Sequence, residues 1–573
     1  MQKKASIFTL LKPYVGIILF LLFFTLLSNG INLWIPKIIS ASIDSFTAGN
    51  FLFKPVILKF TIAIVCIFLF TYSQSILQTY ASERVAKDLR TKLSDKISRQ
   101  SNAFIENANP SKLLTNLTAD VDSIKLFISQ AIVSIVSSLF IIIGASILLI
   151  TINWKLALCV IAIIPIIGIT FFFVLRKVRA LFIQSRAVID WLNKVINESI
   201  LGAAIIRVVN SQQPEYNKFL EANTKAKDFG LAILRLFAGL IPVITFTSNM
   251  AGLTILALGG HFVITGSMSL GNFAAFNSYL SMLIFPILII GFMSNVIAQA
   301  TASYQRINNV INAPEQVETG TITKELEGEI ELQNVNVLYG QIPVLRDISF
   351  NVFPGSKIAV IGPTAAGKTQ LLYLLTGLIK QSSGEVKFDG HPIDEYNKEA
   401  FHRQVGFVFQ DSIIFNMSIR ENIAFSDTVT DASLAKAIET SELKEFIESL
   451  PEKLGTIVSE RGSSLSGGQK QRIMLARALA LNPKILLLDD FTARVDSTTE
   501  KKILENIERN YPDLTLLSVT QKISTVEKYD QIILLMQGEL IASGKHEDLL
   551  HTSPEYVQML NSQKSTSNYE LQS

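Results

Sequence analysis

The chain has 573 residues, of which 49% are hydrophobic and only 17% are charged, a charged fraction below the roughly 25% of a soluble domain. Its net charge of +3 is too small to indicate a nucleic-acid partner. The two cysteines, Cys66 and Cys159, both lie in apolar runs, so they indicate small buried side chains rather than a disulfide or a metal centre.

Long stretches without Asp, Glu, Lys or Arg dominate the first 306 residues. A helix needs about 20 apolar residues to cross a bilayer. Four stretches each predict one crossing, and a fifth, from Arg235 to Arg306, is long enough for two with a turn near Gly266 and Gly271. The alternative, a set of buried core helices, is disfavoured by the length of these runs. The predicted spans cover approximately 14–36, 60–82, 128–152, 156–175, 237–262 and 272–298, within a transmembrane domain of residues 1–311.

Lysine and arginine are concentrated in alternate connections, which predicts the orientation of the spans. Basic residues precede the first span, and they are dense after the second span (84–99) and after the fourth (176–207). Both termini are therefore expected in the cytoplasm, with the chain in the plasma (cell inner) membrane. The two dense segments are longer than a turn needs, so they predict helices that continue beyond the membrane.

The composition changes after Arg306. Residues 312–327 are polar and predict a linker, residues 328–562 alternate predicted strands and helices, and residues 563–573 look like a polar tail. The predicted fold is thus six transmembrane helices followed by a cytoplasmic α/β P-loop nucleotide-binding domain.

A glycine-rich loop between a predicted strand and helix in this second domain fits the phosphate-loop pattern GxxxxGK[ST]. Its backbone N–H groups would close on phosphate oxygens at a helix N-terminus, Lys368 would neutralise the β and γ phosphates, and Thr369 would ligate Mg²⁺. The predicted cofactors are therefore ATP and Mg²⁺. The loop consists of Gly362, Pro363, Thr364, Ala365, Ala366, Gly367, Lys368 and Thr369.

The stretch LSGGQ, Leu465 to Gln469, follows farther along the domain. Here the chain resembles the ATP-binding cassette (ABC) transporter family, whose signature motif has this sequence. Six spans before one cassette look like a half-transporter of the multidrug or lipid exporter type. The segment SERG, residues 459–462, resembles a loop that precedes the signature in exporters.

The resemblance implies roles for other positions. Tyr339 would stack on adenine, although an aromatic residue near a strand end is also common in a core. Gln410 and Asp489 would complete the Mg²⁺ shell with Thr369. Ser466, Gly467, Gly468 and Gln469 would serve ATP held by a second cassette paired head to tail, and Asp496 would lie in the loop that crosses to that cassette.

Two positions depart from the family pattern. The family usually has glutamate directly after the strand aspartate, where it orients the attacking water, and here that residue is Asp490. It also usually has a histidine near the γ phosphate, and here that residue is Gln521. Glutamine carries no positive charge and shuttles no proton at neutral pH. The sequence therefore predicts a degenerate site that binds ATP and hydrolyses it slowly or not at all.

A self-paired chain would carry both departures in both of its sites. A heterodimer with a second, different ABC half-transporter is therefore expected. The alternatives are a homodimeric exporter in which Asp490 still works slowly, and an ATP-gated channel or regulatory subunit. The absence of Asp, Glu, Lys and Arg from spans 5 and 6 favours an apolar or amphipathic cargo, such as a drug, a lipid or a hydrophobic peptide, with membrane lipid as the other expected contact.

Overall fold

The structure is a computed structural model that describes residues 7–315, 320–459 and 462–570. The chain forms two compact units. The first contains residues up to 99 and residues 108–314, and the second contains residues 100–107 together with residues from 315 onward. The predicted linker, residues 312–327, begins close to this boundary.

Helices form the described part of the first 311 residues, interrupted by short π-helical turns at Asn116–Asp120, Phe127–Ala131 and Ile255–Gly259. The α-helices are α1 (Ile7–Leu10), α2 (Val15–Thr47), α3 (Phe53–Ser98), α4 (Asn102–Ala108), α5 (Pro110–Thr115), α6 (Val121–Leu126), α7 (Ile132–Ile152), α8 (Trp154–Ile161), α9 (Ile163–Leu201), α10 (Ala203–Val208), α11 (Gln212–Thr254), α12 (Gly260–Ile264) and α13 (Leu270–Ile311).

Within the described residues, six helical segments are long and apolar enough to cross a membrane, which agrees with the six predicted spans. Each prediction lies inside one segment, and most segments extend far beyond it. The basic stretch 84–99, for example, belongs almost entirely to α3, which ends at Ser98. The segments are Lys12–Thr47, Phe53–Ser98, Pro110–Ile152, Trp154–Leu201, Gln212–Ile264 and Leu270–Ile311.

The core of the first unit contains apolar side chains from α2, α7, α8, α9, α11 and α13. Phe276 and Tyr279 on α13 are fully buried there, and the Tyr279 hydroxyl donates a hydrogen bond to the Leu33 carbonyl at 2.9 Å. These two aromatic side chains therefore pack helices together. Phe246 on α11 and Phe285 on α13, in contrast, have exposed side chains and do not contribute to this core.

The second unit contains two sheets. One has the strand order β2-β1-β4-β5, and the other has the order β10-β9-β3-β8-β7-β6. Strands β3, β6, β7, β8 and β9 of the larger sheet run parallel, and β10 pairs antiparallel with β9. The strands are β1 (Ile330–Tyr339), β2 (Ile342–Val352), β3 (Lys357–Ile361), β4 (Ser383–Phe388), β5 (His391–Pro392), β6 (Val405–Val408), β7 (Ile485–Asp489), β8 (Thr515–Val519), β9 (Gln531–Met536) and β10 (Glu539–Gly544).

Helices flank these sheets and complete the α/β unit that the sequence predicted. Two apolar clusters lie around the larger sheet and bury β3 and β7 completely or nearly so. The helices are α14 (Lys368–Leu375), α15 (Lys398–His402), α16 (Ile419–Ile423), α17 (Asp431–Thr440), α18 (Lys444–Glu448), α19 (Gly467–Leu479), α20 (Ser497–Asn510), α21 (His546–Thr552) and α22 (Pro554–Glu570).

The carboxyl ends of parallel strands meet at one edge of a sheet, where ligands of open α/β folds bind. Strand β3 ends at Ile361, directly before the phosphate loop, and β7 ends at Asp489. Strand β6 ends two residues before Gln410, and β8 ends two residues before Gln521. The topology therefore brings four of the predicted site segments to the same edge.

The predicted polar tail, residues 563–573, begins inside a helix. Helix α22 continues to Glu570, and Gln563 makes two hydrogen bonds to the loop after β8. The start of that segment is therefore folded, because its amides satisfy loop backbone groups even though its composition is polar. Residues 571–573 lie outside the described part.

Candidate nucleotide-binding site

The phosphate loop is shaped by backbone conformations that favour glycine. Gly362 and Gly367 have φ values of +152° and +97°. A Cβ atom on Gly362 would lie 2.0 Å from the Leu535 carbonyl oxygen, so a side chain is excluded there. The loop leads directly into α14, whose first residue is Lys368. It therefore presents free backbone N–H groups at a helix N-terminus, as anion binding requires.

Lys368 lies under the loop and is only 8% exposed. Its ammonium donates hydrogen bonds to the carbonyl oxygens of Gly362 and Pro363 at 2.9 and 2.8 Å. Burial lowers the pKa of this ammonium, and the carboxylates of Asp490 and Asp489 oppose the shift. The lysine is thus held among the groups that would surround a nucleotide phosphate.

Asp489 and Thr369 form a pair of oxygen donors at the end of β7. The Thr369 hydroxyl donates to Asp489 Oδ1 at 3.2 Å. Asp489 is 2% exposed, and its other oxygen, Oδ2, is buried without a hydrogen-bond partner in the described residues. Burial raises the pKa of Asp489, while the Thr369 hydrogen bond lowers it. An unpartnered buried carboxylate oxygen beside a hydroxyl fits a Mg²⁺ ion, which prefers oxygen ligands.

Gln410 follows β6 and has an exposed side chain. Its carbonyl oxygen accepts a hydrogen bond at 3.0 Å from Nε2 of Gln471, a buried residue of α19. The sequence did not predict this contact. It links the loop that carries Gln410 to the helix that begins with the signature motif.

Asp490 adopts a left-handed conformation with φ of +46°, which is uncommon for a residue other than glycine. Its N–H donates to the Val519 carbonyl at 3.0 Å, so neighbouring strand β8 fixes the backbone. Burial raises the pKa of the Asp490 carboxyl, and Lys368 and Lys522 both oppose that shift. The carboxylate therefore lies in the field of two cations, one from the phosphate loop and one from the loop after β8.

Gln521 has an exposed side chain at the start of that second loop. Its carbonyl oxygen accepts a hydrogen bond at 2.5 Å from Gln563 Nε2, and Gln563 Oε1 accepts one at 3.0 Å from the Ile523 N–H. The loop backbone is thus clamped by α22, and the Gln521 side chain projects from a fixed position.

Sequence reasoning missed the pair formed by Lys522 and Glu500. The Lys522 ammonium lies 3.5 Å from Glu500 Oε2, and Glu500 is 2% exposed although it is ionisable. Burial raises the pKa of Glu500, and the nearby ammonium opposes the shift. A signal was available, because Glu500 lies on the same face of α20 as the buried Ile503 and Ile507.

Tyr339 ends β1 and is 54% exposed. Its ring is therefore not part of the core, and the alternative role that the sequence left open is excluded. The exposed face remains available for stacking against a planar ligand.

The signature motif forms the N-terminus of α19. Ser466 caps this helix, because its hydroxyl accepts from the Gln469 N–H at 3.3 Å while its own N–H donates to Gln469 Oε1 at 2.8 Å. A Cβ atom on Gly468 would lie 2.8 Å from the Arg494 carbonyl oxygen. Ser466 is exposed, so the positive end of the helix faces outward, as binding of an external phosphate requires.

Asp496 caps the neighbouring helix α20. Its side chain accepts a hydrogen bond from the Thr499 N–H at 2.9 Å, and this bond lowers the pKa of the carboxyl. The predicted inter-cassette residue is therefore exposed and held in place. The loop before the signature, residues 459–462, lies partly outside the described residues, since Glu460 and Arg461 are not among them.

Two family models match the chain. One, described as the ABC transporter transmembrane region, matches residues 18–287, and one described as ABC transporter matches residues 345–493. The first covers five of the six long apolar segments and the start of the sixth. The second covers the phosphate loop, the signature and Asp490.

Curated relatives match over most of their length. The ATP-dependent lipid A-core flippase of Syntrophus aciditrophicus is 30% identical over 87% of this chain and 84% of its own length. The ABC transporter ATP-binding protein YfiB of Bacillus subtilis is 33% identical over 84% and 85%. The fatty acid ABC transporter ATP-binding/permease protein of Mycobacterium tuberculosis is 29% identical over 86% and 78%.

A solved structure has the same fold. The structure of a bacterial Atm1-family ABC exporter with ATP bound aligns with a TM-score of 0.77 and 23% identity, over 96% of this chain and 98% of that one. Together with the two family models and the relatives of 30% and 33% identity, the six apolar segments and the cassette show that this chain is a multi-pass membrane protein and belongs to the ABC transporter family.

Proposed function

We propose that this chain is one half of an ATP-driven exporter, that it pairs with a second and different half-transporter, and that its own phosphate-loop site turns over slowly. The observation that carries the proposal is the pair Asp490 and Gln521 on the reacting side of an otherwise complete site. Binding residues are present, while the two groups expected to activate water and contact the γ phosphate are shortened or uncharged.

The backbone at Asp490 gives this argument its force. Relative to glutamate, aspartate lacks one methylene, which shortens its reach by about 1.5 Å. A shift of the backbone towards the nucleotide would restore that reach. However, the Asp490 N–H donates a hydrogen bond to the Val519 carbonyl in β8, and this bond opposes such a shift. A misplacement of about 1 Å costs roughly a hundredfold in rate.

Lys522 does not replace the missing imidazole. It follows Gln521 directly and carries a positive charge, but its ammonium pairs with the buried carboxylate of Glu500. A departure from Glu500 would leave that carboxylate buried without its cation, which is costly. The cation therefore stays with Glu500, and the γ phosphate of a bound nucleotide meets the uncharged Gln521 amide.

The signature of this chain supports the second half of the proposal. Its capping hydrogen bonds and its close-packed glycines are in place, so it is able to bind a phosphate presented by another cassette. In a head-to-tail pair, this motif completes the partner's site, where fast hydrolysis takes place if the partner has glutamate and histidine. Thr369, Asp489 and Gln410 would hold a Mg²⁺ ion in this chain's own site, where it would neutralise phosphate charge.

We further propose that the cargo is apolar or amphipathic, that the membrane is the plasma (cell inner) membrane and that both termini are cytoplasmic. The lack of Asp, Glu, Lys and Arg between Arg235 and Arg306 supports the first point. Relatives named as a lipid A-core flippase and a fatty acid transporter support the same cargo class. The alternation of basic connections supports the orientation.

The test uses the tagged chain, purified in mild detergent from its own cells and, separately, after expression alone. Intact-mass measurement of the native complex is expected to reveal a second, different half-transporter. The chain expressed alone is expected to bind ATP and to release phosphate only at background. A self-paired complex with turnover near the median enzyme value of about 10 s⁻¹ overturns the proposal in favour of a homodimeric exporter.

A further inference from the structure

A groove of about 620 Å³ lies between α2 and α3, within the first unit. We call it the lysine groove because Lys37 of α2 and Lys59 of α3 both line it. The apolar part of its wall comes from both helices. It includes Ile31, Trp34, Ile38, Ile62, Ala63 and Cys66.

The two lysines lie at the same level relative to the apolar segments. Lys37 directly follows a charge-free run that starts after Lys12, and Lys59 directly precedes the charge-free run that ends before Glu83. Because α2 and α3 are consecutive and pair along their length, both cations lie at one edge of the hydrocarbon region. That edge is toward the opposite end of α3 from its basic stretch 84–99, which begins about 40 Å away from Lys59 along the helix.

An aromatic side chain marks the same level. Trp34 lies about one helical turn before Lys37 and is 65% exposed. Tryptophan is enriched where a membrane meets water. The groove therefore runs from the interface into the apolar region, with its cations at the interface.

The cations have no protein counter-charge within the described part of the chain. Neither Lys37 nor Lys59 takes part in an ion pair or side-chain hydrogen bond there, and no carboxylate lines the groove. Asp44 is the nearest acid along α2, but Oδ2 accepts from the Ser269 hydroxyl at 2.7 Å and Oδ1 accepts from the Gly271 N–H at 2.8 Å. That carboxylate is committed to the start of α13.

We propose that the lysine groove binds one anionic phospholipid, with its phosphate between Lys37 and Lys59 and an acyl chain along the apolar wall. Charge complementarity identifies the headgroup, because two cations at one level lack a partner. The wall identifies a lipid rather than a soluble anion, because Trp34, Ile62 and Cys66 offer apolar contact just below the cations. Each lysine near a membrane surface contributes roughly fivefold to the binding of an anionic lipid.

This lipid site goes beyond the proposed export function. Its residues lie outside the cassette, so lipid binding there does not depend on whether the Asp490 site is fast or slow. The site accounts for two of the three lysines, Lys37, Lys54 and Lys59, at the end of the helices away from the main basic segment, where the distribution of charge in membrane proteins does not favour them.

Tryptophan quenching by brominated lipids tests the proposal, because Trp34 lies in the groove. The chain has three tryptophans, and Trp154→Phe with Trp191→Phe leaves Trp34 as the only one. The protein is placed in phosphatidylcholine nanodiscs that contain phosphatidylglycerol or phosphatidylcholine brominated on the acyl chain. We expect brominated phosphatidylglycerol to quench Trp34 at about one twenty-fifth of the mole fraction that brominated phosphatidylcholine requires, since each of the two lysines contributes roughly fivefold.

The lysine variants decide which cations are responsible. Lys37→Gln with Lys59→Gln is expected to abolish the preference for phosphatidylglycerol, and each single change is expected to reduce it. Lys54→Gln is the matched control, because Lys54 lies on the same helix, is exposed and is outside the groove. Lys37→Arg with Lys59→Arg keeps both charges and is expected to retain the preference, which gives a readout if the double Gln variant does not fold.

Three results would overturn the proposal. The first is equal quenching by the two brominated lipids in the otherwise unchanged protein. The second is a loss of preference in Lys54→Gln as large as that in the groove variants, which indicates general surface attraction. The third is removal of the preference by millimolar inorganic phosphate, which indicates a site for soluble anions rather than for a lipid.

Discussion

The Lys522 ammonium lies 3.5 Å from Glu500 Oε2, and it also lowers the pKa of Asp490. The positive charge of Lys522 therefore acts on two carboxylates, that of the buried Glu500 and that of Asp490. We predict that Lys522→Gln destabilises the cassette by about 1–3 kcal/mol, the usual cost of leaving a buried polar group without its partner. A fall of several degrees in the unfolding temperature of the purified chain is the expected measurement.

Lys528→Gln is the matched control for that change, because Lys528 is an exposed lysine six residues farther along the chain. It is expected to leave the unfolding temperature unchanged. If both substitutions lower the unfolding temperature equally, the loss of an exposed positive charge causes the fall. The loss of the ion pair between Lys522 and Glu500 then does not.

The same pair predicts a pH dependence. Burial raises the pKa of Glu500, so the folded state holds this proton more tightly than the unfolded state. The stabilisation by that proton is complete at low pH and is lost as the pH rises through the raised pKa. The Lys522 ammonium opposes this rise in the pKa of Glu500, so Lys522→Gln is expected to raise that pKa further. The difference in unfolding temperature between the original chain and Lys522→Gln is expected to shrink when the pH falls from 8 to 5. A difference that stays constant with pH contradicts the role assigned to Glu500.

Sequence patterns predicted those parts of the molecule that are formed by contiguous stretches of the chain. The phosphate loop between β3 and α14, and the apolar runs of the six spans, are contiguous, so their periodicity and spacing carry the information. The ends of the long helices were not predicted, because hydropathy marks where lipid begins and not where a helix ends. Helix α13, for example, continues 13 residues beyond its predicted span, 272–298, whereas the continuation of α3 into the basic stretch 84–99 was predicted and is confirmed.

Contacts between distant segments account for the rest. Gln563 looked like part of a solvated tail because its neighbours are polar, yet its amide satisfies the loop after β8. Gln471 reaches Gln410 across 61 residues of sequence. The burial of such side chains is decided by tertiary packing, which a single sequence does not display.

Tyr339 supplies a test of nucleotide binding that is separate from hydrolysis. Because its ring is half exposed at the end of β1, we predict that Tyr339→Ala weakens ATP binding about 2- to 12-fold, the range of an aromatic stacking contact. Tyr339→Phe keeps the ring and is expected to bind ATP normally. Displacement of a fluorescent ATP analogue measures both variants. If Tyr339→Phe weakens binding as much as Tyr339→Ala, the hydroxyl and not the ring face makes the contact.

The two halves of the proposed complex are expected to respond unequally to equivalent changes in this chain. Gly467→Asp adds a negative side chain where the signature would meet the partner's ATP, so we predict that it abolishes most of the ATPase activity of the complex. Lys368→Ala changes only the site that we propose to be slow, so it is expected to reduce activity less. Phosphate release from the purified complex is the measurement. The prediction is contradicted if Lys368→Ala abolishes the ATPase activity of the complex while Gly467→Asp leaves it nearly normal.

Restoration of the missing groups is the most direct test of the slow site. Asp490→Glu moves a carboxylate outward by one methylene from a backbone that β8 holds in place, and Gln521→His places an imidazole on the loop clamped by Gln563. General-base and positioning effects are typically worth 10²- to 10⁴-fold, but groups that act as a unit do not combine multiplicatively. We therefore predict that neither single change has much effect, and that the double change raises phosphate release of the chain alone by at least about tenfold.

The control for this double change is Asp490→Asn with Gln521→His, which supplies the imidazole and removes the carboxylate. It is expected to remain at background, because the imidazole then has no base to work beside. All variants are compared as single-chain dimers in lipid, with ATP binding measured in the same samples. In the proposed complex with a second half-transporter the gain is expected to be smaller, because the proposal assigns most of the turnover to the partner's site. If the double variant binds ATP normally and yet stays at background, Asp490 and Gln521 are not the groups that limit this site, and the proposal that they make it degenerate is wrong.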